Sequence, residues 1–420
     1  MLNKFESVYK KPEYYFFLVF ALALTVRILF LVIFDGLTRE LDGDEGAYHT
    51  RAVEILSGDF LGSSERPPFL GVIIAPVYLI FGEEPAYARF LMVLISSLSA
   101  SFVFLLANLF INKYNISFFC SLLWVFYPPS IWYSTWILTE TVSAFLVILI
   151  AIYMYKIIEN KSYINVFACA LFFGFLALTR SLYLFLPIVL LMFWLAYLCL
   201  FKRQISYIKN NFKLLVFGLL SFSIVLTPWV VHNLILYDKF IPHSTQGGHL
   251  LLVSNGMLGN SDVKSGKYTK DILKIPELVN SDQVNAYEYD LLKREIALDS
   301  IKNNITSLPE PVMNRFKNFW HFRPDPYDSS WTINDSVMGL IWIPVLLFFI
   351  FGIFNLPIRV TLPILLVILY ACFMVIPFWG SPRFRFPVDS LIILIAFLGS
   401  LKMDIFGWGA YMVVRSSNDE

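Results

Sequence analysis

Asp42, Asp44 and Glu45 stand together in the run Asp42-Gly43-Asp44-Glu45, and a further carboxylate, Glu140, opens a later apolar stretch. At the edge of a low-dielectric region a carboxylate can take a proton from an attacking hydroxyl or ligate a metal. A single one usually does something simpler. Asp44 could cap a following helix, and Glu45 could sit in its first turn. Several in one short loop, opposite another at the same membrane face, favour chemistry over capping. The cations are Arg66, Arg180, Arg383 and Arg385, again beside apolar runs. A guanidinium makes forked, planar contacts to phosphate that an ammonium does not. Snorkelling to lipid headgroups explains a single interfacial arginine, but suits the Arg383/Arg385 pair less well. Carboxylates on one side and guanidiniums on the other suit a substrate with a phosphate head and a lipid tail. The carboxylate would activate an acceptor, and the fixed cations would hold the leaving phosphate.

Other polar residues say less. Arg27 lies inside the first apolar run, where it either snorkels outward or pairs with a carboxylate of the bundle. His49, His232, His243, His249 and His321 are scattered, and none has the close helical spacing of a zinc site. His243 and His249 read as solvated loop residues. Asp42, Asp44 and Glu140 could gather a divalent cation, but no metal or cofactor is assigned. The net charge of +1 points to no nucleic acid, and there is no dinucleotide fingerprint.

These groups need elements to position them, and the composition says which kind. Of 420 residues 58% are hydrophobic and 15% charged. Soluble proteins average roughly 45–50% and 25%. The mean hydropathy is +0.67. The chain reads as an all-α polytopic membrane protein with about ten spans, over 14–34, 86–110, 116–134, 138–157, 163–179, 182–201, 212–231, 337–354, 360–379 and 387–401. The run 69–82, after Pro67 and Pro68, is short and reads as re-entrant or interfacial. The first run follows Lys4, Lys10 and Lys11 but is long for a signal peptide, so it is expected to be a retained anchor.

Basic residues including Lys113, Lys156, Lys161, Lys202, Arg203, Lys213, Arg359 and Lys402 fall between alternate spans, on a single face that is cytoplasmic by the positive-inside rule. Segments 35–85, 135–139, 180–181, 232–336 and 380–386 then share the opposite, external face. The organisation expected is an N-terminal catalytic module over 1–231, an external loop region over 232–336, and C-terminal spans with a short tail over 337–420. Two amphipathic surface helices are expected outside. Tyr48, Ala52, Ile55 and Leu56 form the apolar face of one, with Arg51 and Glu54 opposite; Tyr287, Leu291, Leu298 and Ile301 mark the other. Trp320 and Trp331 suit the membrane interface. Cys120, Cys169, Cys199 and Cys372 all lie in apolar runs, so no disulfide framework is implied.

Short motifs in order along the chain resemble the GT-C glycosyltransferases of the aminoarabinose transferase and protein O-mannosyltransferase type. They are Asp44-Glu45 with Tyr48 and Ala52, Glu65-Arg66-Pro67-Pro68, Phe81-Gly82 with Ala88-Arg89, Thr139-Glu140, Leu178-Thr179-Arg180, Pro228-Trp229 with Asn233, and Arg383-Phe384-Arg385-Phe386-Pro387. Ser181, His232 and Phe384 depart from that pattern, which often has Pro, Arg and Tyr there. About twenty residues follow the last span, where some relatives carry a soluble domain. The resemblance implies a GT-C bundle and a polyprenyl-phosphate-linked monosaccharide donor. It further implies a lipid, glycan or protein acceptor, inversion at the anomeric carbon, and an active site on the external side of a prokaryotic plasma membrane. Asp44 is then the base, Glu45 or Glu140 positions acceptor or sugar, and Arg66, Arg180 and Arg383, with Arg385 beside it, grip the donor phosphate. The competing reading is a transporter or lipid-linked glycan flippase without transferase activity. That reading predicts charges near the bilayer midplane and internal repeats, neither of which the sequence shows.

Overall fold

The computed structural model describes residues 11–59, 63–197, 205–258, 260–274, 278, 285–327, 330 and 332–403. Lys4, Lys10, Cys199, Lys202, Arg203 and Trp331 lie outside them. Among the described residues there are helices and no strand. In chain order the principal ones are α1 (Pro12–Phe30), α2 (Glu45–Leu56), α3 (Phe69–Phe81), α4 (Pro85–Ile111), α5 (Tyr114–Val125), α6 (Pro128–Trp132), α7 (Thr139–Glu159), α8 (Tyr163–Thr179), α9 (Leu186–Tyr197), α10 (Ile205–Tyr237), α11 (Gly247–Asn255), α12 (Ala286–Asn303), α13 (Pro309–Phe319), α14 (Ile333–Asn355), α15 (Ile358–Val375) and α16 (Pro382–Lys402).

Each apolar run forms a helix, and the chain is an integral membrane protein. Among the described residues six helices are individually long and apolar enough to cross a bilayer: α1 with its π-turn extension to Asp35, α4, α7, the apolar part of α10, α14 and α16. The remaining expected spans are shorter helices, apart from 116–134, which is not one rod. Pro128 and Pro129 lack amide donors and end the helix before them, so α5 and the segment 128–135 meet at a bend of 67°.

Helix α16 explains how the bundle closes. Every residue from Arg385 to Leu401 is buried, and the helix packs on α7, α14 and α15. A helix apolar all round belongs in the centre of a bundle, so spans from both ends of the sequence share one core. Within the 232–336 region Leu252, Val253, Ile272, Leu278 and Ala297 form a separate small core. There α11 lies so close on α12 that a Cβ at Gly248 would fall 1.9 Å from Asp290 O.

Three expectations about polar and amphipathic residues change. Arg51 does not face away from the apolar side of α2: it is buried against Gly71 of α3 and bonds Glu54 and Ser63. In α12 the buried side is built from Ala297 with Tyr289, Leu292 and Ile296, while Leu298 is exposed. Arg27 neither snorkels nor meets a carboxylate. It is fully buried and donates to Ser96 Oγ at 2.7 Å, Ser130 Oγ at 3.1 Å, and the carbonyls of Ala23 and Val125 at 3.3 and 3.5 Å. The Ser130 hydroxyl in turn lies within donating distance of the carbonyls of Trp124 and Tyr127, at 2.6 and 2.8 Å, beside the proline break.

Candidate active site

Asp44 precedes α2, and Gly43 with φ 56° makes the turn that leads into it. Its side chain makes no capping bond, so the helix-cap reading does not hold. Neighbours at a helix start point about 100° apart, and the two carboxylates go separate ways. Glu45 turns inward and is fully buried. It accepts from Arg39 at 2.5 and 2.9 Å, from Ile137 N at 2.9 Å and from Asp42 N at 3.2 Å, with Arg89 at 3.8 Å. Asp44 turns the other way. Its Oδ1 accepts from Arg66 Nη2 at 2.9 Å and its Oδ2 from Arg383 Nη2 at 2.8 Å. Burial raises the Asp44 pKa, but Arg383 and Arg66 outweigh it and hold the carboxyl below its ordinary range.

Arg383 reaches Asp44 because Pro382 occupies the first position of α16, where its missing N–H costs nothing, and starts the helix at once. The same guanidinium donates from Nε to Glu140 Oε1 at 2.5 Å. Glu140 opens α7, where the helix dipole favours a negative charge, and Arg180 Nη1 lies 3.3 Å from the same oxygen. That nitrogen has no well-directed hydrogen bond, so the Arg180 contact is an ion pair by proximity only. Arg180 also rests on the Phe384 ring, 5.0 Å from its centroid. Arg66 lies over Tyr48 at 5.1 Å. The loop carrying it is pinned by Ser64, which donates to Asn233 Oδ1 at 2.5 Å and accepts from Thr245 N at 2.8 Å.

Five sequence-predicted residues therefore converge in one chain of charges: Arg66, Asp44, Arg383, Glu140 and Arg180. They come from segments predicted to share one face, and the bundle brings these to one end. Glu45 and Arg385 stand outside the chain. Arg385 is buried, donates to Asp389 Oδ1 and to the carbonyls of Phe319 and His321 at 2.8 Å each, and stacks on Trp342. It touches the cavity wall with those donors already engaged. Among the described residues no cluster of His, Cys, Asp or Glu is arranged to hold a metal. Between Asp44 and Glu140 sits the Arg383 guanidinium, which bonds both carboxylates.

The charges open onto a cavity of about 890 Å³. Asp42 to Asp44 form one part of its wall, Trp132 to Leu138 another, and Ser381 to Arg383 a third. The Asp44 and Arg383 side chains are 34% and 29% exposed and reachable by a substrate, whereas Glu140 at 0% is not. The 232–336 region completes the wall with Lys267, Tyr268, Asp325 and Tyr327, and Trp379, also on the wall, packs on Tyr268 and Phe384. Sequence reasoning missed these. The turn residue Gly266 before Lys267 and Tyr268 was the only local signal. Trp136 Nε1 and Ser381 Oγ, also at the wall, have no hydrogen-bond partner among the described residues.

No family profile and no curated protein sequence matches the chain. Solved structures do share its fold. The archaeal oligosaccharyltransferase AglB from Archaeoglobus fulgidus, in complex with an inhibitory peptide and a dolichol-phosphate, superposes with a TM-score of 0.53 at 12% identity, over 97% of this chain and 53% of that one. An Archaeoglobus fulgidus oligosaccharyltransferase tethered to an acceptor peptide gives 0.55 at 12% identity, over 94% and 51%. ArnT from Cupriavidus metallidurans bound to undecaprenyl phosphate aligns more loosely, at 0.44 and 14% identity over 92% and 79%. The chain spans about half the length of the two oligosaccharyltransferases. It has the GT-C fold that the sequence motifs implied.

Proposed function

We propose that this GT-C-fold membrane protein moves a monosaccharide from a polyprenyl-phosphate donor to a hydroxyl or phosphate acceptor, with inversion, on the external face of a prokaryotic plasma membrane. The observation that carries the reading is the reachable Asp44 carboxylate held between Arg66 and Arg383 on the wall of a large cavity. Asp44 takes the proton of the acceptor hydroxyl as its oxygen attacks the anomeric carbon. The bond from that carbon to the phosphate oxygen breaks, and its electron pair leaves with the lipid phosphate. Arg383 and Arg66 meet the charge that develops there, with Arg180 behind them. Cations fixed before the reaction stabilise such charge without reorganisation. Glu140 holds Arg383 and Arg180 in place and touches no substrate. Glu45 is assigned the same kind of task, anchoring the loop that presents Asp44.

The test is incubation of the purified protein with labelled polyprenyl-phosphate sugars and native membranes, with the product read by mass. Sugar attached to a membrane acceptor supports the reading. Donor carried across vesicles without any transfer would install the flippase in its place. Sidedness is checked separately. Cysteines at Ser63 and Ser265 should both label with an impermeant thiol reagent in intact cells, and labelling of one alone would split the proposed site between two faces.

A further inference from the structure

The external region sends one cation into the cavity, and its setting is built. Gly266 has φ +88°, and a Cβ there would come within 2.9 Å of Arg315 N, so the turn tolerates no side chain. Tyr327 Oη donates to Gly266 O at 3.0 Å. Beyond the turn, Lys267 N donates to Asp262 O at 3.0 Å and Thr269 N to Val253 O at 2.8 Å. Tyr268 packs edge-on against Trp379 with centroids 4.5 Å apart. The backbone is thus fixed on both sides of Lys267, and the side chain lines the same cavity as Asp44 and Arg383.

What distinguishes Lys267 is its unanswered charge. Arg383 is paired with Asp44 and Glu140, and Arg385 with Asp389. Among the described residues Lys267 makes no ion pair; its ammonium faces the Tyr327 ring at 6.0 Å. The nearest carboxylate in sequence along that wall, Asp325, accepts from Tyr327 N at 2.9 Å in a local turn. An ammonium placed by a fixed turn in a partly closed cavity favours an anion, since a charge-assisted contact gains strength as water is excluded.

We infer that Lys267, with Tyr268 and Tyr327 beside it, forms a second anion subsite that takes an acidic group of the acceptor. That group is a phosphate or carboxylate carried near the hydroxyl that receives the sugar. The inference rests on the glycosyl-transfer reading, in which the donor phosphate is held by Arg66 and Arg383 from other elements. It narrows the acceptor to an acidic lipid or glycan.

The experiment measures binding of radiolabelled inorganic phosphate to the full chain in phosphatidylcholine nanodiscs, with and without saturating undecaprenyl phosphate. The expected result is a saturable phosphate site that remains once undecaprenyl phosphate has filled the donor arginines. Lys267→Gln should weaken it about tenfold, the effect of losing a charged contact, and Lys267→Arg should restore most of it. Displacement of all bound phosphate by undecaprenyl phosphate would move Lys267 to the donor and overturn the inference. So would the absence of a phosphate site, or wild-type affinity in Lys267→Gln. Because no transfer is measured, failure of the enzyme reading shows only in the product assay and stays separable from failure here.

Discussion

Arg383 Nη2 donates to Asp44 Oδ2 at 2.8 Å, joining the start of α16 to the loop that leads into α2. In the proposed reaction these are the phosphate-binding cation and the base, and at rest each occupies the other. The pairing keeps Asp44 ionised but weakens it as a base. A donor phosphate competes for the guanidinium, and as it does so the carboxylate recovers its basicity. On that reading donor binding itself readies the base.

Asp44→Asn isolates the base. The amide is nearly isosteric, yet it cannot take a proton near neutral pH. Transfer should fall by roughly 10²–10⁴-fold, with donor affinity kept or improved because Arg383 loses a competing anion. Rate and donor affinity are measured at matched protein levels. An active Asp44→Asn enzyme would remove Asp44 from the chemistry.

Two of the acidic residues adjacent in sequence do different work, and this was legible only in part. The motifs and the alternation of basic loops placed Asp44, Glu140, Arg66, Arg180 and Arg383 on one face, and the fold joins these five in one chain of charges. The fold was legible because apolar run length is a strong signal. What sequence could not give is which way adjacent carboxylates turn: Glu45 finds Arg39 and the Ile137 amide, contacts spanning up to 92 positions. The cavity residues Lys267, Tyr327 and Trp379 were hidden for the same reason. Lys267 and Tyr327 lie in a long polar region with no periodicity, Trp379 ends an apolar run, and all three meet only through tertiary contacts.

Glu45→Gln tests that division. The amide leaves Arg39 without its forked partner in a buried setting, at a cost of about 1–3 kcal/mol of stability. Thermal unfolding should come earlier, while turnover per folded molecule stays close to wild type. A collapse of turnover with unchanged unfolding would make Glu45 part of the reaction.

The pH dependence should differ between the free and donor-bound enzyme. In the free site the Asp44 pKa is depressed by Arg383 and Arg66 against the opposing effect of burial. Its ionised form therefore contributes stability that is fully present above the unfolded carboxylate value, about 4, and is lost as pH falls through the lower folded value. The acid limb of kcat/KM should lie below that ordinary value. With donor phosphate on the arginines the pKa rises, so the limb of kcat should sit at higher pH. Coincident limbs would mean that donor and Asp44 do not share Arg383.

Arg383→Lys is not a mild change. One ammonium cannot reproduce the fork from Nη2 to Asp44 and from Nε to Glu140. The donor KM should rise about tenfold, with a smaller effect on kcat. A donor KM equal to wild type would leave the phosphate to Arg66 and Arg180.

Arg27 carries a consequence for how the protein is made. An arginine within an apolar helix is costly in lipid, and its partners here are Ser96 on α4 and Ser130 and Val125 O at the proline break. All three are translated after α1. Apart from the Ala23 carbonyl of its own helix, Arg27 thus depends on partners that lie up to 103 positions further along the chain. The break at Pro128 is equally dependent on the first helix, because Val125 O and the Ser130 hydroxyl both meet Arg27. The first helix and the segment across the proline break thus complete each other's polar pairing, a dependence that spans 103 positions of the chain.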